Sequence, residues 1–302
     1  MNDINQHALK KRLNSDHIFL AFDWVMIVLI FAIVFYPLWY TVIASFDSDV
    51  YSTRLKIWPA KPSLEGYSAI FQYNKVWVGY KNSIVYTVVG TFISMVMTIA
   101  AAYPLSRKDL RGRTIVMFLF SFTMYFSGGL IPSFLLVADL KMLDSIWALV
   151  IPGAISVYNM IVMRTYFATS IPEELLDASR VDGCSNTRFL SAIVIPLSTP
   201  ILAVISMYYA IAIWNSYFNA LIYITDYKKL PLQMILREIL IANQIDANML
   251  GDYDPESAAQ LMRMQEIMKY SLILIASVPM LIIYPFVQRY FVKGVMIGAI
   301  KG

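Results

Sequence analysis

The chain has 302 residues, of which 59% are hydrophobic and only 15% charged, whereas globular proteins average about 45–50% apolar and about 25% charged. So few ions cannot cover the surface of a soluble protein of this length, and a mean hydropathy of +0.61 agrees; the composition is that of an integral membrane protein and excludes a disordered chain, a disulfide scaffold and a nucleic-acid-binding domain. The net charge is +4, Cys184 is the only cysteine, and the two histidines, His7 and His17, lie near the N-terminus, which excludes an internal disulfide and a histidine-based site deep in the chain.

Residues 1–18 read as a cytoplasmic arm and 19–302 as an all-α transmembrane domain. Six stretches lack Asp, Glu, Lys, Arg and His for long enough to span a bilayer, which takes about 20 residues of helix. They are approximately Trp24–Ser45, Ser83–Tyr103, Thr114–Leu136, Ile146–Met163, Ile201–Tyr223 and Ser271–Gln288. Internal prolines (Pro37, Pro132, Pro152, Pro279, Pro285) do not veto them, because neighbours or local distortion re-satisfy the freed carbonyls. The first run is too long for a signal peptide, and Ser45-Phe46-Asp47 is a poor cleavage site, so it reads as a retained helix.

Charge placement orients the spans. Lys10, Lys11 and Arg12 precede the first. Arg107, Lys108, Arg111 and Arg113 surround the lone acid Asp109 between the second and third, and Lys293 and Lys301 follow the last. Lys141 is outnumbered by Asp139 and Asp144 between the third and fourth. Both termini are therefore predicted cytoplasmic, with long external loops over about 46–82 and 224–270 and a cytoplasmic loop over about 164–196. The basic cluster at 107–113 is explained by orientation alone. Trp58 and Trp77 read as interface anchors and Cys184 as an ordinary small residue. The segment Pro231–Asn243 is predicted helical from the spacing of Leu232, Ile235, Leu236, Ile239 and Leu240.

The cytoplasmic loop departs from the positive bias of its neighbours: Glu173, Glu174, Asp177 and Asp182 outnumber Arg164, Arg180 and Arg188. A solvated amphipathic loop would account for that, but the loop also carries helix signals. Ser170-Ile171-Pro172-Glu173 fits a capping box with Ser170 as N-cap, proline suits a first turn, and the two glutamates suit the positive end of the dipole. Gly183 is a natural stop, so a short helix is predicted over Ile171–Asp182. Leu175, Ala178, Ser179 and Asp182 share a face, with Ala178 and Ser179 small enough for close approach. Arg180 can pair with Asp177 for only a few tenths of a kcal/mol. A helix this short is marginal alone and needs a surface to dock against.

The run Pro172-Glu173-Glu174-Leu175-Leu176-Asp177-Ala178-Ser179-Arg180-Val181-Asp182-Gly183, followed by Ile193-Val194-Ile195-Pro196, resembles the EAA loop of binding-protein-dependent ABC importer permeases. The family pattern is Glu-Ala-Ala, three residues, Gly, nine residues, Ile, one residue, Leu-Pro. This chain keeps the spacing with Asp177-Ala178-Ser179, Gly183, Ile193 and Ile195-Pro196, departing mildly at three positions. The resemblance implies a type I ABC importer permease fold in the bacterial cytoplasmic membrane. It also implies that Pro172, Glu173, Glu174, Asp177, Ala178, Ser179, Arg180 and Gly183 belong to a coupling helix seated in a groove of an ATP-binding subunit.

Further segments resemble the carbohydrate branch of that family, related to the maltose permease pair: Phe126–Pro132, Trp214–Tyr223, Pro231-Leu232-Gln233 with Leu236-Arg237-Glu238, and the ending Phe291–Gly302. The resemblance implies a second, non-identical permease chain, two ATP-binding subunits that hold ATP and Mg, an external binding protein, and an oligosaccharide or polysaccharide-fragment substrate. Ser127-Gly128-Gly129 mimics part of an ABC signature but lies in an apolar run with no Gln after it. The sequence has no Gly-x-x-x-x-Gly-Lys-Ser/Thr phosphate cradle, so no cofactor and no catalytic residue is expected in this chain. Those glycines permit close helix contact or a helix break.

Trp214, Asn215, Tyr217, Phe218, Asn219 and Tyr223 are the candidate substrate-pathway cluster, with Tyr125, Tyr158 and Asn159 in neighbouring spans. Aromatic platforms and amides suit the apolar faces and hydroxyls of sugars. In one helix Asn215 and Asn219 share a face, with Phe218 and Trp214 beside them. The same residues also suit interface anchoring and helix–helix hydrogen bonds. An ion-coupled secondary sugar transporter is the rival reading. It is disfavoured because the six spans hold no ionisable group, the usual mark of such coupling. A membrane-embedded enzyme ranks lower still, for want of a nucleophile or acid–base constellation.

Overall fold

The computed structural model describes residues 2–49, 57–249 and 255–299, and side chains for most of these. The side chains of His7, Lys10, Lys11, Arg12 and Lys293, residue Lys301, and the side-chain detail of the Phe291–Gly302 ending lie outside the described set. Two compact units are present: Met1–Gln72 with Asn243–Ile275, and Tyr73–Ala242 with Ala276–Gly302. No strand occurs among the described residues, only an isolated bridge between Asp47 and Pro62.

In the first unit, α1 (Asn2–Ser45) carries the first apolar run and ends in a loop organised by Asp47. The buried Asp47 carboxylate accepts hydrogen bonds from the amides of Asp49, Ala60 and Lys61, each at 3.0 Å. Trp39 donates its indole N–H to Ile57 O at 3.1 Å. A short α2 (Glu65–Gln72) follows. It meets the N-terminal half of α14 (Pro255–Ala299) so closely that a Cβ on Gly66 would sit 2.5 Å from Ile267 Cγ2 and from Ser271 Oγ. Ser271 donates to Ser45 O at 3.2 Å, and Tyr40 meets Tyr270 edge-on. Trp58 is exposed.

The second unit is built on α3 (Asn74–Ser106). It begins nine residues before the apolar window that defined the second span, inside the stretch assigned to an external loop. Charge ends a hydropathy window but not a helix: Lys75 lies in the first turn, its ammonium over the rings of Tyr73 and Tyr227. Trp77, read as an interface anchor in a loop, is instead a helical residue, beside Tyr80. Next come α4 (Arg113–Tyr125), α5 (Leu130–Asp139), α6 (Ile146–Val150), α7 (Val157–Ser170) and α8 (Glu173–Val181). A helical run then contains α9 (Asn186–Phe189), a π-turn over Leu190–Val194 and α10 (Ile195–Leu197). α11 (Thr199–Trp214), α12 (Phe218–Tyr223) and α13 (Leu232–Met249) complete it before α14.

Several predicted spans are interrupted. Phe19–Ser45, Asn74–Ser106 and Met262–Phe286 are each long and apolar enough to cross a bilayer. The third predicted span is instead a pair, α4 and α5, bent by 113°, with Gly129 at φ +86° supplying the break. The run Asn186–Leu197 meets α11 at 84°. The stretch Ile146–Met163 is not one helix: Pro152 follows α6 and the chain reorganises through Ser156, whose hydroxyl caps α7 by accepting from the Asn159 amide. Proline cannot donate to the preceding turn, which explains the stop.

Tyr86, Gly90, Ser94, Thr98 and Ala102 lie on the buried side of α3, which packs on α7 and α11 around Met160, Met163, Phe167, Ile205 and Tyr209. The Tyr209 hydroxyl shares a 2.6 Å hydrogen bond with Thr98 Oγ1 and accepts from the Ser156 amide at 3.0 Å. The predicted helix over Pro231–Asn243 starts at Leu232, and its apolar face is used inside the chain. Leu232, Met234 and Ile235 are buried, and a Cβ on Gly79 of α3 would lie 3.0 Å from Ile235 Cγ1.

Candidate functional site: the α8 loop and the α11–α12 break

The acid-rich loop folds into a short helix, with different ends from those the sequence proposed. Ser170 is the last residue of α7, not an N-cap, and the capping box does not form. Pro172 is the N-cap, extended at φ −61° and ψ 141°, and Glu173 opens the helix. An N-cap must leave helical geometry, and a residue before proline is also held out of it. Ile171, at φ −103° and ψ 109°, therefore separates two helices. The C-terminal signal holds in full. Gly183 takes φ +69°, its amide donates to Arg180 O at 3.0 Å, and Cys184 N donates to Ser179 O at 2.9 Å. This is the paired closure of a Schellman motif.

The faces of α8 also differ from expectation. Ser179 is buried and its hydroxyl bonds Leu176 O at 2.7 Å, so it faces its own chain. Leu176 packs toward the Phe167 and Phe189 cluster. Glu174, Leu175, Asp177, Ala178 and Asp182 are exposed, and Val181 is 88% exposed. Arg180 reaches Asp177 at 3.5 Å, but its firmer partner is Asp109 of the α3–α4 turn. Lys108 of that turn pairs with Glu173 at 2.9 Å. The basic cluster thus does more than orient a span. Its sequence signal was the single acid among four bases, facing a loop of opposite charge.

The predicted pathway cluster is split by the end of α11. Asn215 is the C-cap and α12 starts at Phe218, so Asn215 and Asn219 do not share one helical face. Asn215 Nδ2 instead bonds Ile211 O at 3.0 Å. Trp214 is only 3% exposed, donates to Ala276 O at 3.1 Å and meets Tyr80 edge-on, so it is a packing residue and not a surface platform. Tyr223 is buried and stacks on Phe134. Asn159 is buried at the start of α7, while Tyr158 is exposed. Tyr217 and Phe218 are exposed, their rings 6.4 Å apart and perpendicular, and Tyr125, at the end of α4, is 81% exposed. Asn219 joins Tyr86, Ser94, Gly153, Ile213 and Ser216 around a cavity of about 170 Å³. The cavity offers hydroxyls and an amide but no charge. Nothing in the sequence marks its α3 wall, since Tyr86 and Ser94 are unremarkable in an apolar run.

Bent apolar helices around an uncharged cavity, with a short polar helix held beside them, are the build of a multi-pass membrane protein. Residues 76–297 match the family described as "Binding-protein-dependent transport system inner membrane component", and the chain belongs to that family. Among its relatives are two proteins of Bacillus subtilis (strain 168). The chain is 39% identical over 268 residues to the "Polygalacturonan/rhamnogalacturonan transport system permease protein YtcP", covering 88% of this chain and 92% of that one. It is 36% identical over 273 residues to "Protein LplC", covering 90% of each. Among solved structures, a chain of a bacterial ABC transporter involved in the import of the acidic polysaccharide alginate is similar at TM-score 0.81 and 32% identity. The match covers 92% of this chain and 98% of that one. The all-α ABC importer permease fold and the multi-pass inner-membrane location inferred from the sequence therefore hold.

Proposed function

We propose that this chain is the permease subunit of an ATP-driven ABC importer that carries oligosaccharides or polysaccharide fragments into the cytoplasm. The observation that carries the reading is α8. It is a nine-residue helix closed by a Schellman motif, with Leu175, Ala178 and Val181 exposed on a helix too short to be stable alone. A partner surface completes it, and the family supplies one in an ATP-binding subunit. The similarity to a polygalacturonan/rhamnogalacturonan permease and to a chain of an alginate importer supports the saccharide class. In this reading α8 and both termini lie in the cytoplasm, and two ATPases, a second permease chain and an external binding protein complete the assembly.

Mechanistically, ATP-driven closure of the ATPase pair moves α8 as a rigid lever. The movement passes through the tight turn at Gly183 into α9–α11 and through Ile171 into α7. Tyr217, Phe218, Asn219 and Tyr125 are the side chains of this chain available to a passing saccharide, whereas Trp214 holds α11 to α14. The uncharged cavity beside Asn219 suits sugar hydroxyls.

The test is reconstitution of this chain with its partner permease, ATPases and binding protein in proteoliposomes. Saccharide-stimulated ATP hydrolysis and uptake that both require this chain are expected. Uptake by this chain alone, driven by an ion gradient, would overturn the reading.

A further inference from the structure

The turn between α3 and α4 carries a charge network that grips α8 near both of its ends. At its centre Asp109 binds Arg107 through both oxygens, Nε to Oδ1 at 3.0 Å and Nη2 to Oδ2 at 2.6 Å. Such bidentate pairs fix geometry as well as charge. The Arg107 side chain is only 10% exposed. Its Nη1 also donates to Tyr103 OH of α3 at 3.0 Å and to Asn186 Oδ1 of α9 at 3.2 Å. The guanidinium is thus held by two helices before Asp109 meets it. Asp109 Oδ2 then accepts from Arg180 in the last turn of α8, while Lys108 pairs with Glu173 at its first residue. The two grips are seven residues apart, about 10 Å along a helix. Attachment at two points resists tilt and rotation of α8, which attachment at one point does not.

We propose that Asp109 is a positioning residue for the coupling helix: it ties α8 to the α3–α4 turn, so that movement of α8 is delivered directly into α3 and α4 as well as through its covalent neighbours. The inference rests on the reading of α8 as the coupling helix. Lys108 and Glu173 are the weaker grip, because both are largely exposed and such pairs are screened by salt. Asp109 is anchored through the nearly buried Arg107, whose hydrogen bond holds its carboxyl down to about 2, well below the ordinary 3.8. It is ionised at neutral pH.

The test uses the complete reconstituted transporter and reads saccharide imported per ATP hydrolysed, a ratio that does not depend on how much complex assembles. Asp109→Asn and Arg180→Gln are each expected to lower the ratio by about fivefold. The double variant should fall no further than the worse single, because both remove the Asp109–Arg180 contact, and Asp109→Glu should restore most of the loss. A ratio unchanged in Asp109→Asn, or losses that multiply in the double variant, would overturn the proposal. A second readout is hydrogen exchange over Glu173–Val181 in the same complex, which does not depend on α8 being the coupling helix. Asp109→Asn should speed it, and unchanged exchange refutes the tie whatever the transport result. Failure of the unmodified complex to couple ATP to saccharide, with exchange still faster in Asp109→Asn, refutes the transport reading and upholds the tie.

Discussion

Gly183 offers the sharpest test of how α8 ends. At φ +69° it occupies left-handed space, which costs an ordinary L-residue roughly 1–2 kcal/mol. A Cβ there would meet nothing within 4 Å, so crowding inside the chain contributes nothing to the penalty. The whole effect of Gly183→Ala is therefore conformational, and it falls on two bonds, Gly183 N to Arg180 O and Cys184 N to Ser179 O. A penalty of that size raises the open population of this closure about 5–30-fold. Amide exchange measured by mass spectrometry over residues 176–190 reads it directly, with import per ATP measured alongside. Gly183→Asn should be the mildest replacement because Asn tolerates the left-handed region, Ala intermediate, and Val, with its branched Cβ, the worst. A bulky charged residue should uncouple ATP hydrolysis from import while membrane insertion persists. Equal effects of Asn, Ala and Val, or wild-type exchange in all three, would refute the reasoning.

Other consequences can be checked separately. Trp214→Ala should destabilise the chain by about 3–5 kcal/mol, seen as a large drop in thermal unfolding temperature. Phe218→Ala removes an exposed ring, so it should leave that temperature almost unchanged and shift the saccharide KM. Gly66→Ala should lower the unfolding temperature by overpacking worth about 1–3 kcal/mol, since its Cβ would press on Ile267 and Ser271. The Asp109 carboxyl is lowered in the fold to about 2 from 3.8. Its contribution is therefore fully present above the unfolded value and is lost only as pH falls through the folded one. The Asp109→Asn defect should accordingly have the same size at every pH between about 5 and about 8. A defect that vanishes toward pH 5 would show that the Asp109 carboxylate does not set it.

Apolar runs located the helices because burial in lipid requires them, and Gly183 located a helix end because only glycine takes its conformation without cost. What failed to show in the sequence was long-range. Ser170 is the exception: a local rule, that the residue before Pro172 is held out of helical geometry, ends α7 there and outweighs the capping-box pattern. The helical face drawn through Asn215 and Asn219 assumed a helix that stops at Trp214, and apolarity continues through that stop unchanged. The charges at 107–113 satisfy an orientation rule so well that nothing in them points to the contacts of Lys108 with Glu173 and of Asp109 with Arg180, 65 and 71 residues away in sequence. In this last case a composition rule remained true while a tertiary contact set the detail.

One oxygen atom has a further consequence for how such a bundle can move. The Tyr209 hydroxyl of α11 holds Thr98 of α3 and the amide of Ser156 at the head of α7. Because both bonds converge on a single phenol, sliding α11 past its two neighbours breaks them together. The three helices are thus geared to travel as one block. Whatever changes shape during a transport cycle must then be sought at the joints around that block: Gly129, Ser198 and the Asn215–Tyr217 break.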